Sequence, residues 1–152
     1  MGYYYRGFIS SGDIINSFKQ KYDNITAIKL YDDFVTIPLS DELYDEINQT
    51  TSTPVSGFEY LTDEIGVICI SLSEQSQIAY VEAEYFGGLG SQSGIIWEKN
   101  NTIFCEAVTD NAINRVLNIL GIQKIQNKDE FDTVALGRHR NIEDWINKEP
   151  HM

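Results

Sequence analysis

Basic residues are missing from the middle of this sequence. No lysine or arginine occurs between Lys29 and Lys99, whereas the same 69 residues contain 13 acidic residues. The rest of the chain holds 11 basic and 10 acidic residues, so the net charge of −12 arises in the middle stretch, −13 against +1. Such a field repels nucleic acid and anionic lipid, and it steers basic partners towards the protein. An acidic surface that only keeps the protein soluble is the alternative, although a merely solvated face usually mixes charges of both signs.

A long apolar run and a targeting signal are also absent. No stretch approaches the roughly 18 apolar residues that a membrane span requires. The N-terminal sequence MGYYYRGF lacks the basic and apolar regions of a signal peptide. We therefore expect a cytoplasmic protein without a membrane partner.

Cysteine is scarce, and its spacing argues against a metal centre. Cys69 and Cys105 are the only two cysteines, and no CxxC pair or nearby histidine pair accompanies them. Both fall in apolar stretches typical of strands, so we expect two buried, reduced thiols that pack as small hydrophobic side chains. The segment DEFD, residues 129–132, lacks the ligand pattern of a calcium loop. The sequence predicts no metal site.

Hydrophobic periodicity predicts one α+β domain over residues 1–152. Apolar residues recur three and four positions apart at 13–22 and 109–121, which predicts two main helices, and Ser40 begins a shorter helix over 40–48. Apolar and alternating runs predict strands at 3–9, 25–30, 34–39, 65–72, 79–86, 94–98 and 102–106, with a strand-like piece at 134–136. We expect an antiparallel sheet of five to seven strands, with residues 65–72 at its centre and the two main helices packed on one face.

The glycine-rich segment AEYFGGLGSQSGIIW, residues 83–97, predicts a connection between two strands. A phosphate-binding loop needs a helix after its glycines and often a lysine, but GIIW follows as a strand and the nearby charges are acidic. Gly87, Gly88 and Gly90 then provide positive φ, a bulge or close packing. Gln92 is suited to tying this segment to neighbouring backbone, and a contact role for it stays open. No cofactor is predicted.

Candidate catalytic groups are few. His151 lies at the terminus and His139 lies between two arginines, without a nucleophile or ligand set beside it. Catalysis by a cysteine and a histidine would require an exposed cysteine next to His139. Glu82 and Glu84 alternate on one strand, so they point to the same side and form either an acid–base pair or a pair of solvent-facing charges. We predict no catalytic residue.

Three later segments resemble a known class of protein. EAEYFGGLGSQSGIIWEK, the helix NAINRVLNILGI and DEFDTVALGRHRNIEDW resemble sequences of small bacterial immunity proteins from polymorphic or contact-dependent toxin systems. The resemblance covers residues 79–145 and not the first half of the chain. It implies a single, often acidic, cytoplasmic domain that binds one cognate toxin domain and blocks it, without catalytic residues of its own.

The acidic stretch and this resemblance together predict a protein that neutralises a basic toxin domain such as a nuclease. Nuclease toxins need cationic clefts to hold phosphates, so a clustered acidic surface can take the place of the nucleic acid. Aromatic residues among the acids supply the anchors that dominate many interfaces. The predicted contact patch comprises Asp41, Glu42, Tyr44, Asp45, Glu46, Phe58, Glu59, Tyr60, Asp63 and Glu64.

Other interpretations of the sequence stay open at this point. One is a small enzyme that uses Glu82 and Glu84 on a cationic or sugar substrate. Another is an adaptor that binds a basic partner without inhibiting it. The segment 87–92 is an alternative contact surface, and the sequence does not decide the oligomeric state.

Overall fold

One antiparallel sheet of six strands organises the computed structural model, which describes residues 2–50 and 52–152. The strands are β1 (Tyr3–Ser11), β2 (Ile28–Tyr31), β3 (Phe34–Pro38), β4 (Ile78–Phe86), β5 (Leu89–Glu98) and β6 (Asn101–Thr109). Their order across the sheet is β2-β3-β1-β4-β5-β6. The antiparallel sheet and the α+β class are as predicted, and β1 and β4 form its central pair.

Two tight turns hold the last three strands together in a meander. Gly87 and Gly88 both have positive φ and connect β4 to β5, while Lys99 and Asn100 have positive φ and connect β5 to β6. Positive φ at both central residues matches the right-handed twist of a two-residue hairpin. The glycine-rich segment is therefore a hairpin, as the sequence predicted.

Helices cover both faces of the sheet. They are α1 (Ile14–Lys21), α2 (Asp41–Ile47), α3 (Asp63–Leu72), α4 (Ala112–Leu120), α5 (Glu130–Thr133) and α6 (Ile142–Lys148). Helices α1, α2 and α3 share one hydrophobic cluster with Phe8 and Tyr80 of the central strands. Helices α4 and α6 share a second cluster with Ile9 and Val81.

The two main helices predicted from the sequence, α1 and α4, thus belong to different clusters. Successive residues of a strand point to opposite faces, so Phe8 and Ile9 contribute to opposite sides of the sheet. The expectation that both helices pack on one face does not match this arrangement. Each helix has a single apolar side, and the sequence pattern does not state which face of the sheet covers it.

The predicted central strand at 65–72 is wrong, because this segment forms α3. Thr62 precedes it as an N-cap whose hydroxyl accepts a hydrogen bond from the Ile65 amide, and Asp63 and Glu64 occupy the first turn, where acids favour a helix. An apolar run of this length fits a buried helix as well as a buried strand. The capping residues were the signal that distinguishes the two.

Two smaller predictions also change. Residues 134–136 form no strand; they follow α5 in a turn in which Ala135 has positive φ. Cys69 is buried as expected but in a helix, whereas Cys105 is exposed on the edge strand β6.

Among the described residues, no helix has the length and apolar character needed to cross a membrane.

We expect alkaline unfolding to begin above about pH 10, because buried tyrosines oppose ionisation. Burial raises the pKa of Tyr3, Tyr5 and Tyr80 above their ordinary value. A group whose pKa is raised in the folded state contributes stability below its unfolded pKa of about 10, and that contribution is lost as the pH rises further. Absorbance at 295 nm should therefore report phenolate formation together with the loss of far-ultraviolet circular dichroism. Ionisation of all nine tyrosines near pH 10 in a folded protein would contradict this burial.

Candidate functional site

A cleft of about 940 Å³ lies at the end of the sheet where β1 begins and β4 ends. Its floor comes from the first half of β1, the last half of β4 and the first half of β5, and its walls come from the start of α2, the loop 57–60 and α6. β3 pairs only with residues 7–11 of β1, so the first residues of β1 extend beyond the β3 ladder. Tyr4 there donates its amide to the Arg140 carbonyl, which leads the chain into α6.

Carboxylates from distant parts of the sequence line this cleft. Six acidic side chains and one basic side chain contribute to its surface; they are Asp41, Glu42, Glu59, Glu82, Glu84, Glu143 and Arg6. We call this set the acidic cleft. Among residues 2–50 and 52–152, no lysine and no other arginine lines it.

Arg6 leaves most of this negative charge uncompensated. Its side chain is largely buried, and its Nε donates to the Leu39 carbonyl at 2.8 Å while its Nη2 donates to Asp41 Oδ1 at 2.7 Å. The guanidinium also lies 4.0 Å from the centre of the Tyr60 ring. These two hydrogen bonds fix the start of α2 in the wall of the cleft, and the single positive charge of Arg6 balances only one of the six carboxylates.

Glu82 has a structural role in the floor of the cleft. One of its oxygens accepts the Glu59 amide at 2.7 Å, and the other accepts the Tyr60 amide at 2.7 Å and the Leu61 amide at 3.1 Å. Tyr80 also donates its hydroxyl to Glu82 at 2.7 Å. Burial and the Glu82 carboxylate raise the pKa of Tyr80, which keeps it protonated as a donor. Glu82 thus fastens the loop 59–61 to the sheet.

Glu84 differs from Glu82 although both point to the same face, as the alternation in β4 predicted. Glu84 is exposed, whereas Glu82 is only 9% exposed. The two carboxylates therefore lie in unlike environments, one bonded into the fold and one facing solvent.

Ser93, across from Glu82 on β5, also links the cleft to its surroundings. Its hydroxyl accepts the Val108 amide and donates to the Gly57 carbonyl, at 2.9 Å each.

The cleft contains half of the contact patch predicted from the sequence. Asp41, Glu42, Phe58, Glu59 and Tyr60 line it. Phe58 is nevertheless 6% exposed and belongs to the hydrophobic cluster beneath the cleft, so its ring is not available as an aromatic anchor in this structure.

The other predicted contact residues lie outside the cleft. Tyr44 contacts Tyr60 edge-on, with ring centres 6.2 Å apart, and Asp45 is exposed on α2. Glu46 accepts the amides of Asp23 and Asn24 at 2.6 and 2.9 Å, which anchors the chain after α1. The last two, Asp63 and Glu64, lie in the first turn of α3.

Sequence reasoning missed the contribution of Glu143 and Tyr4 to the cleft. Tyr4 donates its hydroxyl to Glu143, which joins β1 to α6 across 139 positions of the sequence. No local pattern signals such a contact, because the packing of α6 beside β1 creates it. The alternation of β1, with Tyr4 and Arg6 on the same face as Phe8, was the only available indication.

Not all of the acidic stretch reaches the cleft. Five of its 13 acids line the cleft, and others lie at the β2–β3 turn or near the β5–β6 turn, as Asp33, Glu74 and Glu98 do. In the described part of the chain, no three His, Cys, Asp or Glu side chains form a group that could hold a metal ion. The carboxylates are spread around the cleft instead of converging on one point.

Gln92 makes the backbone contact suggested by the sequence. Its side-chain oxygen accepts the Ile113 amide at 2.9 Å, which caps the first turn of α4.

Comparison with protein-family models, curated proteins and solved structures found no match for this chain.

Proposed function

We propose that this protein is a non-catalytic, cytoplasmic immunity protein that binds a basic toxin domain in its acidic cleft and thereby neutralises it. The acidic cleft is the observation on which this proposal rests. It is concave, it is lined by six carboxylates, and its single arginine is already paired with Asp41. A cationic loop or side-chain cluster on another protein is complementary to such a surface in both shape and charge.

Inhibition follows from competition for the same cationic surface. A nuclease holds phosphates with lysine and arginine side chains, and a rigid set of carboxylates can contact those side chains in place of the phosphates. The net charge of −12 also steers a basic partner towards the cleft from a distance. Association should therefore be fast at low salt and slower as salt screens the charges.

The enzyme interpretation of the same carboxylates has less support. Glu82 would have to exchange protons with a substrate, but its two oxygens already accept four hydrogen bonds from the protein. A general base needs a lone pair within reach of the substrate. Of these two carboxylates, only Glu84 is exposed.

Charge reversal in the cleft tests the proposal. Glu42, Glu59 and Glu84 are exposed, line the cleft and accept no side-chain hydrogen bond or ion pair from the described residues. We expect the variant Glu42→Lys/Glu59→Lys/Glu84→Lys to bind its partner at least about 100-fold more weakly at low salt, because like charges then face each other. The partner to be tested is the C-terminal domain of the protein encoded directly upstream, measured by surface plasmon resonance and by rescue of growth on co-expression.

The matched control is Asp33→Lys/Glu74→Lys/Glu98→Lys. It makes the same change in net charge with residues of the same acidic stretch that lie outside the cleft. This control should keep nearly the wild-type affinity and still rescue growth. Equal losses in the two triple variants would show that net charge alone matters, and the absence of any binding or rescue by the wild type would refute the proposed function.

A further inference from the structure

The tip of the β4–β5 hairpin presents an exposed apolar pair beside the acidic cleft. Phe86 and Leu89 flank the Gly87–Gly88 turn and are 77% and 81% exposed, more than any other large apolar side chain of the described residues. Contiguous exposed apolar patches on folded monomers are often interaction sites, whereas isolated exposed apolar side chains are normal. We call Phe86 and Leu89 the hairpin tip.

The hairpin tip continues the surface of the acidic cleft. Phe86 and Leu89 are directly paired; Phe86 follows Glu84 of the cleft by two positions on β4, and Leu89 precedes Ser91 of the cleft by two positions on β5. Residues two apart on a strand project from the same face, about 7 Å apart. A partner seated in the cleft therefore meets the hairpin tip at its margin.

The backbone holds the hairpin tip in a fixed position. The β4–β5 register runs without interruption from Ile78 opposite Trp97 to Phe86 opposite Leu89. At Gly90, a Cβ would collide with the carbonyl oxygen of Glu84 and with Tyr85, so the absence of a side chain lets the two strands approach each other. Because the hairpin is already ordered, an anchor at its end loses little conformational entropy on binding.

We propose that the hairpin tip is the apolar anchor of the interface with the basic partner and inserts into an apolar pocket that the partner's lysines or arginines flank. This inference rests on the proposed function and adds the second half of the contact surface. Charge favours a basic protein over other occupants, because Glu84 and the rest of the cleft lie next to the tip. A second copy of this chain carries the same −12 charge, and an anionic membrane repels it as well.

Association and dissociation rates distinguish an apolar anchor at the hairpin tip from the charged residues of the acidic cleft. The test variant is Phe86→Ser/Leu89→Ser, and its partner is again the C-terminal domain of the protein encoded directly upstream. We expect its Kd to rise about 100-fold, mainly through faster dissociation and by the same factor at low and high salt, because buried anchors govern dissociation. The cleft triple variant should instead associate more slowly with the partner, and its association rate should depend less on salt concentration.

The control Val67→Ser/Ile119→Ser removes two other exposed apolar side chains, on α3 and α4. It should bind like the wild type, and near-ultraviolet circular dichroism should show that all variants are folded. Unchanged binding by the tip variant, with the cleft variant impaired, would overturn this inference and leave the proposed function standing. A wild-type protein that fails to bind the upstream domain would overturn both.

Two further experiments test other roles for the hairpin tip, namely self-association and membrane binding. Sedimentation velocity on the protein alone would overturn the inference if the wild type were a dimer and the tip variant a monomer. Co-sedimentation with phosphatidylcholine vesicles would overturn it if the wild type bound and the tip variant did not.

Discussion

Replacing Glu82 by glutamine will lower the free energy of unfolding by about 2–3 kcal/mol, although the substitution preserves shape. The carboxylate accepts three backbone amides and the Tyr80 hydroxyl, and an amide group can offer only one acceptor oxygen in its place. At least one buried N–H then faces the glutamine NH₂ without a partner. Guanidinium denaturation followed by tryptophan fluorescence measures the loss, because Trp97 and Trp145 are both buried.

Glu84→Gln is the matched control for this prediction. The same chemical change is made two residues away, on the same face of β4, at an exposed side chain. Its effect on stability should stay within about 0.5 kcal/mol. Hydrogen exchange should also accelerate selectively at the amides of Glu59, Tyr60 and Leu61 in the Glu82 variant. Equal effects of the two substitutions would mean that Glu82 does not fasten the loop.

Phe58→Ala will destabilise the fold by about 3–5 kcal/mol, which is the range for removing a buried phenylalanine. The ring is 6% exposed and packs 6.2 Å from the Tyr80 ring, so truncation leaves a cavity under the cleft. A loss of this size is a large fraction of the about 5–15 kcal/mol that stabilises a typical domain. The same denaturation experiment measures it.

Tyr60→Ala tests the cleft-facing side of the same loop, whereas Phe58→Ala tests its buried side. Tyr60 is half-buried, and the largely buried Arg6 guanidinium lies over its ring, a contact that contributes about 2 kcal/mol. We expect Tyr60→Ala to reduce stability by little more than this and to weaken partner binding, whereas Phe58→Ala acts on folding. If Phe58→Ala left stability unchanged and weakened binding alone, the sequence-based assignment of Phe58 as an interface anchor would be right and its core position wrong.

The predictions for Glu82→Gln and Phe58→Ala concern how the acidic cleft keeps its shape. The loop 57–61 is attached to the sheet by Phe58 below and by Glu82 beside it, and this attachment presents Glu59 and Tyr60 to the cleft. A pre-formed surface binds with less loss of conformational entropy than a mobile loop. One carboxylate of the acidic stretch, Glu82, thus positions a loop that carries another cleft carboxylate, Glu59.

Local sequence patterns were sufficient for much of the secondary structure. The alternation in β4 correctly placed Glu82 and Glu84 on one face, and Gly87 and Gly88 correctly marked a connection between two strands. They were insufficient for 65–72, because an uninterrupted apolar run carries no periodicity that separates a buried helix from a buried strand. Thr62 and Asp63 carried the deciding information as a helix cap and first turn.

The candidate site was less accessible from sequence than the fold. Glu42 and Glu59 were predicted as neighbours in function and do line one cleft. Phe58 and Glu46 were placed in the contact patch because of their residue type, yet one packs in the core and the other binds the backbone of Asp23 and Asn24. Residue type gives no measure of burial for a side chain in a loop or a short helix.

The sequence by itself determined the segregation of charge, the hairpins and the amphipathic helices, because each depends on residues that are close along the chain. Only the tertiary structure decided that α1 and α4 belong to opposite faces, that α6 brings Glu143 beside β1, and that Glu82 is buried while Glu84 is exposed. Those outcomes depend on contacts between residues tens of positions apart. Such contacts are selected by the packing of whole elements, which a local pattern does not encode.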